Sequence, residues 1–305
     1  MFKEAVKKIL AYAGIGIKPI PRQYLTGGKD LKKIKIGKYD LLINKEHTLD
    51  YNIRQYPLYN KNLPRLTSFM LQQTGGCTVV DVGANVGDTV LFIKNEADVP
   101  VVCFEGDPYY FKLLQQNVAQ FSNVTCCCNY LAAKDSTLQA DIDFSKGTSS
   151  INESSKGAVI NLIKFDTFYN NNKNLLDTVI VFKTDTDGYD LNILRGAWNF
   201  LKEKKPVLFI EYDRVYLSQQ QEEGIDTLKK LADIGYDSIL FYDNYGRFVV
   251  SLSLSQIDEV EQLHNYINYY NAPFAFFDLC IFHKDHAALA KEFITKEAQL
   301  NKQKM

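Results

Sequence analysis

The sequence predicts an α/β chain: a parallel sheet with helices on both faces. Three observations predict it. From residue 78 onward, short apolar or β-branched runs alternate with segments of helical periodicity. Several runs end on an acid followed by glycine or a helix start, as at Asp81-Val82-Gly83 and Glu105-Gly106-Asp107. The 305 residues are 46% hydrophobic, enough for one large core.

The elements follow in order. Residues 1–74 read as an irregular, lysine-rich extension with one helix from Arg65 to Gln73, stopped by Gly75-Gly76. Near the start, Phe2, Val6, Ile9, Leu10 and Ala13 share a helical face. Its lysines suit either docking on the domain or peripheral contact with a membrane surface. Ile9 to Ile17 mimics a short signal peptide, but it lacks a small-residue cleavage site and Lys18-Pro19 closes it. No apolar run reaches membrane-spanning length.

Residues 75–285 form the main domain, with seven expected strands. Thr78 to Val82 is the first and Val101 to Glu105 the second. Asp107 then caps a helix with Pro108 at its first position, and Phe111, Leu114, Val118 and Phe121 make its apolar stripe. Asn123 to Cys128 is the third strand, Thr178 to Lys183 the fourth, Pro206 to Glu211 the fifth, Asp237 to Tyr242 the sixth and Phe276 to Phe282 the seventh. Leu191, Leu194, Trp198 and Leu201 recur at helical spacing between the fourth and fifth. Residues 286–305 read as a C-terminal helix.

Composition narrows the function. Net charge is −1, without the basic footprint of a nucleic-acid enzyme, so no nucleic-acid partner is expected. The six cysteines contain no C-x-x-C pair, which disfavours zinc. Cys126-Cys127-Cys128 suits a buried strand better than a disulfide framework, so a reducing cytoplasm is expected.

The turn after the first strand is Gly83-Ala84-Asn85-Val86-Gly87. A dinucleotide fingerprint needs a middle glycine for close approach of a pyrophosphate, and here it is missing. The G-K-[ST] of a phosphate loop is also absent. A cofactor without phosphates needs neither, and S-adenosylmethionine is such a cofactor. Asp81 can receive its ammonium, directly or through water. Glu105 stands 24 residues later, at a second strand end, where a carboxylate reaches ribose hydroxyls. The expected cofactor residues are Asp81, Gly83, Ala84, Asn85, Gly87, Glu105 and Gly106.

V-V-D-V-G-A-N-V-G-D-T resembles motif I of class I methyltransferases, and C-F-E-G-D-P resembles their second acidic strand end. F-K-T-D-T-D-G-Y-D-L-N-I-L-R-G-A, from Phe182 to Ala197, is similar to the FkbM-type signature. Gly147 to Ser150, Phe165 to Phe168 and Pro206 to Glu211 follow in that family's order. Asp187 replaces the usual Glu and Tyr189-Asp190 the usual Ala-Glu, which leaves substrate identity open. The resemblance implies a Rossmann-like class I methyltransferase fold, with seven strands and one antiparallel. It also implies O-methyl transfer from S-adenosylmethionine to a sugar, glycan or related small metabolite.

Within that reading Asp185 is the expected base or hydroxyl orienter. Lys183 holds the substrate or steadies Asp185, and Glu211 is a second polar group aimed at the cleft. Ser149, Ser150, Asp187, Tyr189, Arg214 and His264 are candidates for reading the acceptor. Asp190 reads as a helix N-terminal acid. His264 also fits plain helix packing, and His283 and His286 read as structural. Mg²⁺ at Asp185, Asp187 and Glu211 is possible but not favoured, because acids facing hydroxyls need no metal. The competing readings are a nucleic-acid N-methyltransferase, which lacks its N/D-P-P-Y element here, a dehydrogenase, and a methyltransferase fold kept as a silent scaffold.

Overall fold

The computed structural model describes residues 30–145, 148–153, 157–186, 188–213, 224–268 and 276–302, with the side chains of 141–153, 268 and 301 outside that description. A hairpin opens it, β1 (Leu31–Ile36) against β2 (Tyr39–Asn44), followed by α1 (Leu49–Gln55) and α2 (Asn62–Thr74). The repeating unit comes next: β3 (Thr78–Val82), α3 (Asp88–Glu96), β4 (Val101–Phe104), α4 (Pro108–Val118) and β5 (Val124–Cys127). A β-rich insertion holds β6 (Tyr130–Leu131), β7 (Ser136–Ser145), β8 (Thr148–Glu153) and β9 (Ala158–Ile163). After it come α5 (Phe165–Asn171), α6 (Lys173–Leu176), β10 (Val179–Thr184), α7 (Asp190–Gly196), α8 (Trp198–Lys204) and β11 (Val207–Asp213). The last elements are α9 (Ile225–Asp233), β12 (Tyr236–Tyr242), β13 (Phe248–Ser253), α10 (Ile257–Asn268), β14 (Phe276–His283) and α11 (Ala287–Lys302).

The main sheet has eight strands in the order β13-β12-β14-β11-β10-β3-β4-β5. From β11 to β5 all pairings are parallel. β14 inserts antiparallel between β11 and β12, as the family resemblance implies. The sequence reading gives seven strands, and the eighth is β13, which pairs antiparallel with β12. Its run F-V-V-S-L-S is half exposed, with none of the full burial that marks the central strands, and so it escapes a search for buried runs.

The chain leaves β3 toward β4 and β5, then returns to β10 on β3's other side. The switch point therefore lies between the C-terminal ends of β3 and β10, where ligands bind in open α/β sheets.

Alternation splits the core in two. Val79, Cys103, Val181, Phe209, Tyr242 and Phe282 face one layer, which contains α2, α3, α4, α11 and the opening hairpin. Val80, Phe104, Phe182, Ile210, Tyr212 and Phe241 face the other, which contains α5, α7, α8, α9 and α10. Residues 30–61, before α2, are therefore not irregular, as the lysines there suggest, and the helical face from Phe2 to Ala13 lies outside the described residues. Ile36, Leu41, Ile43 and Leu49 are buried in the first core, while Lys33 and Lys35 of β1 point outward and Lys32 on the inner face pairs with Asp50 at 2.8 Å. Cys126 and Cys127 are only half buried and Cys128 is exposed, because β5 is an edge strand rather than a buried one. The α4 stripe is also rotated, with Tyr110, Leu113, Leu114, Asn117 and Val118 buried and Phe111 only partly so.

An ion pair ties the two ends of the described chain together. Arg65 of α2 donates Nε and Nη2 to Glu297 of α11 at 2.7 and 2.6 Å. The Glu297 side chain is 3% exposed and that of Arg65 22%. Glu297→Ala is expected to cost about 2–3 kcal/mol, below the ~3–5 of a sealed pair because Arg65 still reaches water. Denaturant unfolding checks it, and a loss under about 1 kcal/mol would show that the pair contributes little.

Candidate functional site at the switch point

The turn after β3 takes its shape from residues at positive φ. Gly83 has φ +75°, and a Cβ there would meet the carbonyl oxygen of Asp185 at 1.9 Å. Gly87 has φ +86° and caps α3, and a Cβ there would meet Leu114 at 2.9 Å. Asn85 between them has φ +46°, a left-handed position that Asn tolerates. The loop is pinned to β4, since the amides of Gly83 and Ala84 both donate to the Phe104 carbonyl at 3.0 Å.

Glu105 follows β4 and is buried. Its Oε2 accepts from the amide of Asn85 at 2.9 Å and its Oε1 from the amide of Asp107 at 2.8 Å. Burial pushes its carboxyl up to about 7, against the pull of those two amides. Asp107 in turn caps α4, accepting from Tyr109 and Tyr110. Tyr130 lies over Gly106, where a Cβ would come within 2.1 Å of its ring. A carboxylate fixed by backbone on both oxygens beside a glycine turn fits the diol of a nucleoside. S-adenosylmethionine fits this set through Glu105 and the backbone of Gly83 to Gly87.

Asp81 and Lys183 are partners in register on β3 and β10. Lys183 Nζ lies 2.8 Å from Asp81 Oδ1 and 3.6 Å from Asp185 Oδ2. It also donates to the Gly83 carbonyl at 3.3 Å. Burial alone would pull the ammonium down, but Asp81 and Asp185 outweigh it and hold it above its ordinary value. These contacts bear on two expectations that each carried an alternative. Asp81, 0% exposed, is the counterion of Lys183, which suits the water-mediated alternative better than direct contact with a cofactor ammonium. Lys183, 4% exposed, lies beside Asp185, which suits the alternative that it steadies that residue. Asp185, 53% exposed, is the member of the trio that is open to solvent at the strand end.

Glu211 lies on β11, on the same sheet face as Lys183, and its partner in register on β14 is Asp278. The other candidates scatter. The Nδ1 of His264 is 2.8 Å from the buried Tyr212 hydroxyl on the opposite face from Glu211, so His264 packs α10 rather than joining the carboxylates. Tyr189 packs against that same core. Asp190 accepts from the amides of Thr186 and Gly188 and closes the turn before α7. Ser149 and Ser150 lie on β8, the outer strand of the four-stranded insertion sheet β6-β9-β7-β8. Their side chains, and the whole of Asp187 and Arg214, lie outside the described residues. His283 bonds the Ile234 carbonyl at 3.1 Å and is structural. Among the described residues no group of three or more His, Cys, Asp or Glu is placed to hold a metal.

Sequence reading missed the residues that approach from the extension. Asn62 Nδ2 of α2 donates to Asp278 Oδ2 at 2.8 Å. Tyr59, just before α2, feels the charges of Asp88, Asp185 and Asp278, and burial pushes its phenol up. Asp88 opens α3, and burial pushes its carboxyl up to about 6. A signal for Asp278 was present: it is the lone acid inside the apolar run Phe276 to Phe282.

A family profile described as the methyltransferase FkbM domain matches residues 81–238. Comparison with curated proteins gives no match. Among solved structures, an FkbM methyltransferase from Methylobacillus flagellatus KT is 17% identical, with a TM-score of 0.39. That alignment covers 62% of this chain and 50% of that one. A Methanococcus jannaschii fibrillarin pre-rRNA processing protein is 14% identical at TM-score 0.39, covering 84% of each chain. TYW2 of M. jannaschii, solved in complex with AdoMet, is 11% identical at TM-score 0.36, covering 85% of this chain and 89% of that one.

Proposed function

Because the chain belongs to the FkbM methyltransferase family, we propose that it moves a methyl group from S-adenosylmethionine to a hydroxyl. The acceptor class is a sugar, a glycan or a related small metabolite. The observation that carries the cofactor half is Glu105, held by the amides of Asn85 and Asp107 beside the glycine turn. When bound, S-adenosylmethionine supplies a methyl group activated by a sulfonium.

The chain's own residues divide the remaining work. Glu105 receives the ribose diol, and the turn Gly83-Ala84-Asn85-Val86-Gly87 together with Gly106 flanks the ligand; the missing Cβ atoms of Gly83, Gly87 and Gly106 make room for Asp185, Leu114 and Tyr130. Lys183 keeps a positive charge 3.6 Å from Asp185 and steadies its carboxylate group in place. Asp185 then accepts a hydrogen bond from the acceptor hydroxyl and sets its line of approach, the factor that supplies much of the rate in a displacement. Glu211 is the second carboxylate on this edge. The thiols are free among the described residues, which suits a reducing cytoplasm. No described helix is long and apolar enough to cross a membrane.

The test is uptake of labelled methyl from S-adenosylmethionine into panels of nucleotide sugars, oligosaccharides and small polyols. Label in base-stable methyl ethers of one sugar class is the expected result. Label recovered only in RNA or only in protein added beside the panel would sink the sugar or small-metabolite acceptor reading.

A further inference from the structure

Asp278 is a carboxylic acid in the middle of an apolar strand, and the mechanism above does not use it. It sits third in β14, which runs antiparallel, so its early residues lie at the C-terminal edge of β11 where the site is. Its partners in register are Glu211 on one side and Tyr242 on the other. It remains partly accessible. One oxygen is fixed by Asn62 at 2.8 Å, and Asn62 is itself buried in the first turn of α2. A desolvated acid costs stability unless it is hydrogen-bonded or paired, and a carboxyl so placed at a strand end beside the site is a candidate functional group.

We propose that Asp278, oriented by Asn62, takes the proton of the acceptor hydroxyl, while Asp185 orients that hydroxyl. The proposal rests on the hydroxyl-acceptor reading. In balance, the acceptor O–H bond breaks and its proton goes to Asp278. The freed electron pair forms the new bond to the methyl carbon, and sulfur keeps the electrons of the bond it loses. The negative charge of Asp278 and the positive charge of the sulfonium disappear together.

The surroundings suit a base that works near neutral pH. Burial pushes the Asp278 carboxyl up to about 7. Asp185 and Asp243 push in the same direction, and Asn62 and Lys183 oppose them. Tyr59 from the extension, Glu211 from β11 and Tyr242 from β12 are the other titratable groups set against it among the described residues. The N-terminal extension thus contributes a positioning residue to the reaction, because Asn62 favours the ionised form of the base.

Two readouts test this in the full chain. The first is carboxyl titration by isotope-edited infrared difference between wild type and Asp278→Asn, with S-adenosylhomocysteine bound. A carboxyl titrating near neutrality in wild type and missing from the variant is expected. Titration in the ordinary carboxylate range overturns the proposal. The second is formation of S-adenosylhomocysteine from S-adenosylmethionine with glycerol as a generic polyol acceptor. Asp278→Asn is expected to lower the rate by about 100-fold or more without weakening S-adenosylhomocysteine binding. Asn62→Ala is expected to move the midpoint of the pH–rate profile upward. Equal rates in wild type and Asp278→Asn, equal absence of turnover included, overturn the proposal. A folded wild type that does not bind S-adenosylhomocysteine removes the cofactor reading instead.

Discussion

Lys183→Ala is expected to lower the unfolding free energy by about 3–5 kcal/mol, the usual cost of stranding one member of a buried ion pair. The stranded member is Asp81, which is 0% exposed. Desolvation already pushes its carboxyl up, and Lys183 is the group that opposes this. Without the ammonium, Asp81 must either stay charged in an apolar wall or bind a proton, and both destabilise the fold. Asp185 contributes little to the loss, since half of its side chain is in solvent. Adding Asp81→Asn to Lys183→Met removes both charges at similar volume and is expected to recover most of the stability. Urea unfolding of the two variants is the measurement. A loss below about 1 kcal/mol, or no recovery in the double variant, would show that Lys183 is not the counterion this geometry describes.

That result bears on how far the site can be read from sequence. The strands that hold it were legible because they are short, fully buried runs with an acid at or just past the C-terminal end, Asp81 in β3 and Glu105 after β4. Gly83 and Gly87 were legible because their spacing marks a turn, and the structure places both at positive φ. The depth of a residue at a strand end was not legible. Asp81, Lys183 and Asp185 look equivalent in the sequence, yet pairing in register seals the first two and leaves the third open. Nor does sequence spacing say which face of the sheet a residue joins. Glu211 and Tyr212 are neighbours in the chain, but alternation sends them to opposite layers and takes His264 away from the carboxylates. Asn62 lies 216 residues from Asp278 and sits in a segment whose lysines disguise its core. Only the packing of α2 brings the two together.

The affinity for S-adenosylhomocysteine is expected to rise with pH up to about 7 and then level off, and Glu105→Gln is expected to remove that dependence. The sign follows from the environment of Glu105. Burial raises its carboxyl from the ordinary value to about 7, so in the free protein it is largely protonated at pH 5.5. Ribose hydroxyls donate to a carboxylate and therefore favour the ionised form, so binding releases a proton wherever the free acid holds one. Affinity then gains up to about tenfold per pH unit below the midpoint. The free protein behaves in the opposite sense. A carboxyl raised in the folded state contributes stability that is complete below its ordinary range and is lost as pH climbs through about 7. Two hydrogen bonds to a charged acceptor are worth about 1.5–3 kcal/mol each. Glu105→Ala, which also releases the amides of Asn85 and Asp107, should therefore weaken binding by about 100-fold or more. Asp88, Asp190 and Asp278 titrate in the same region, and the Glu105→Gln variant separates their contribution from that of Glu105. Calorimetric titration between pH 5.5 and 8 is the measurement. A pH dependence that survives in Glu105→Gln would place the titrating group elsewhere and take the ribose contact away from Glu105.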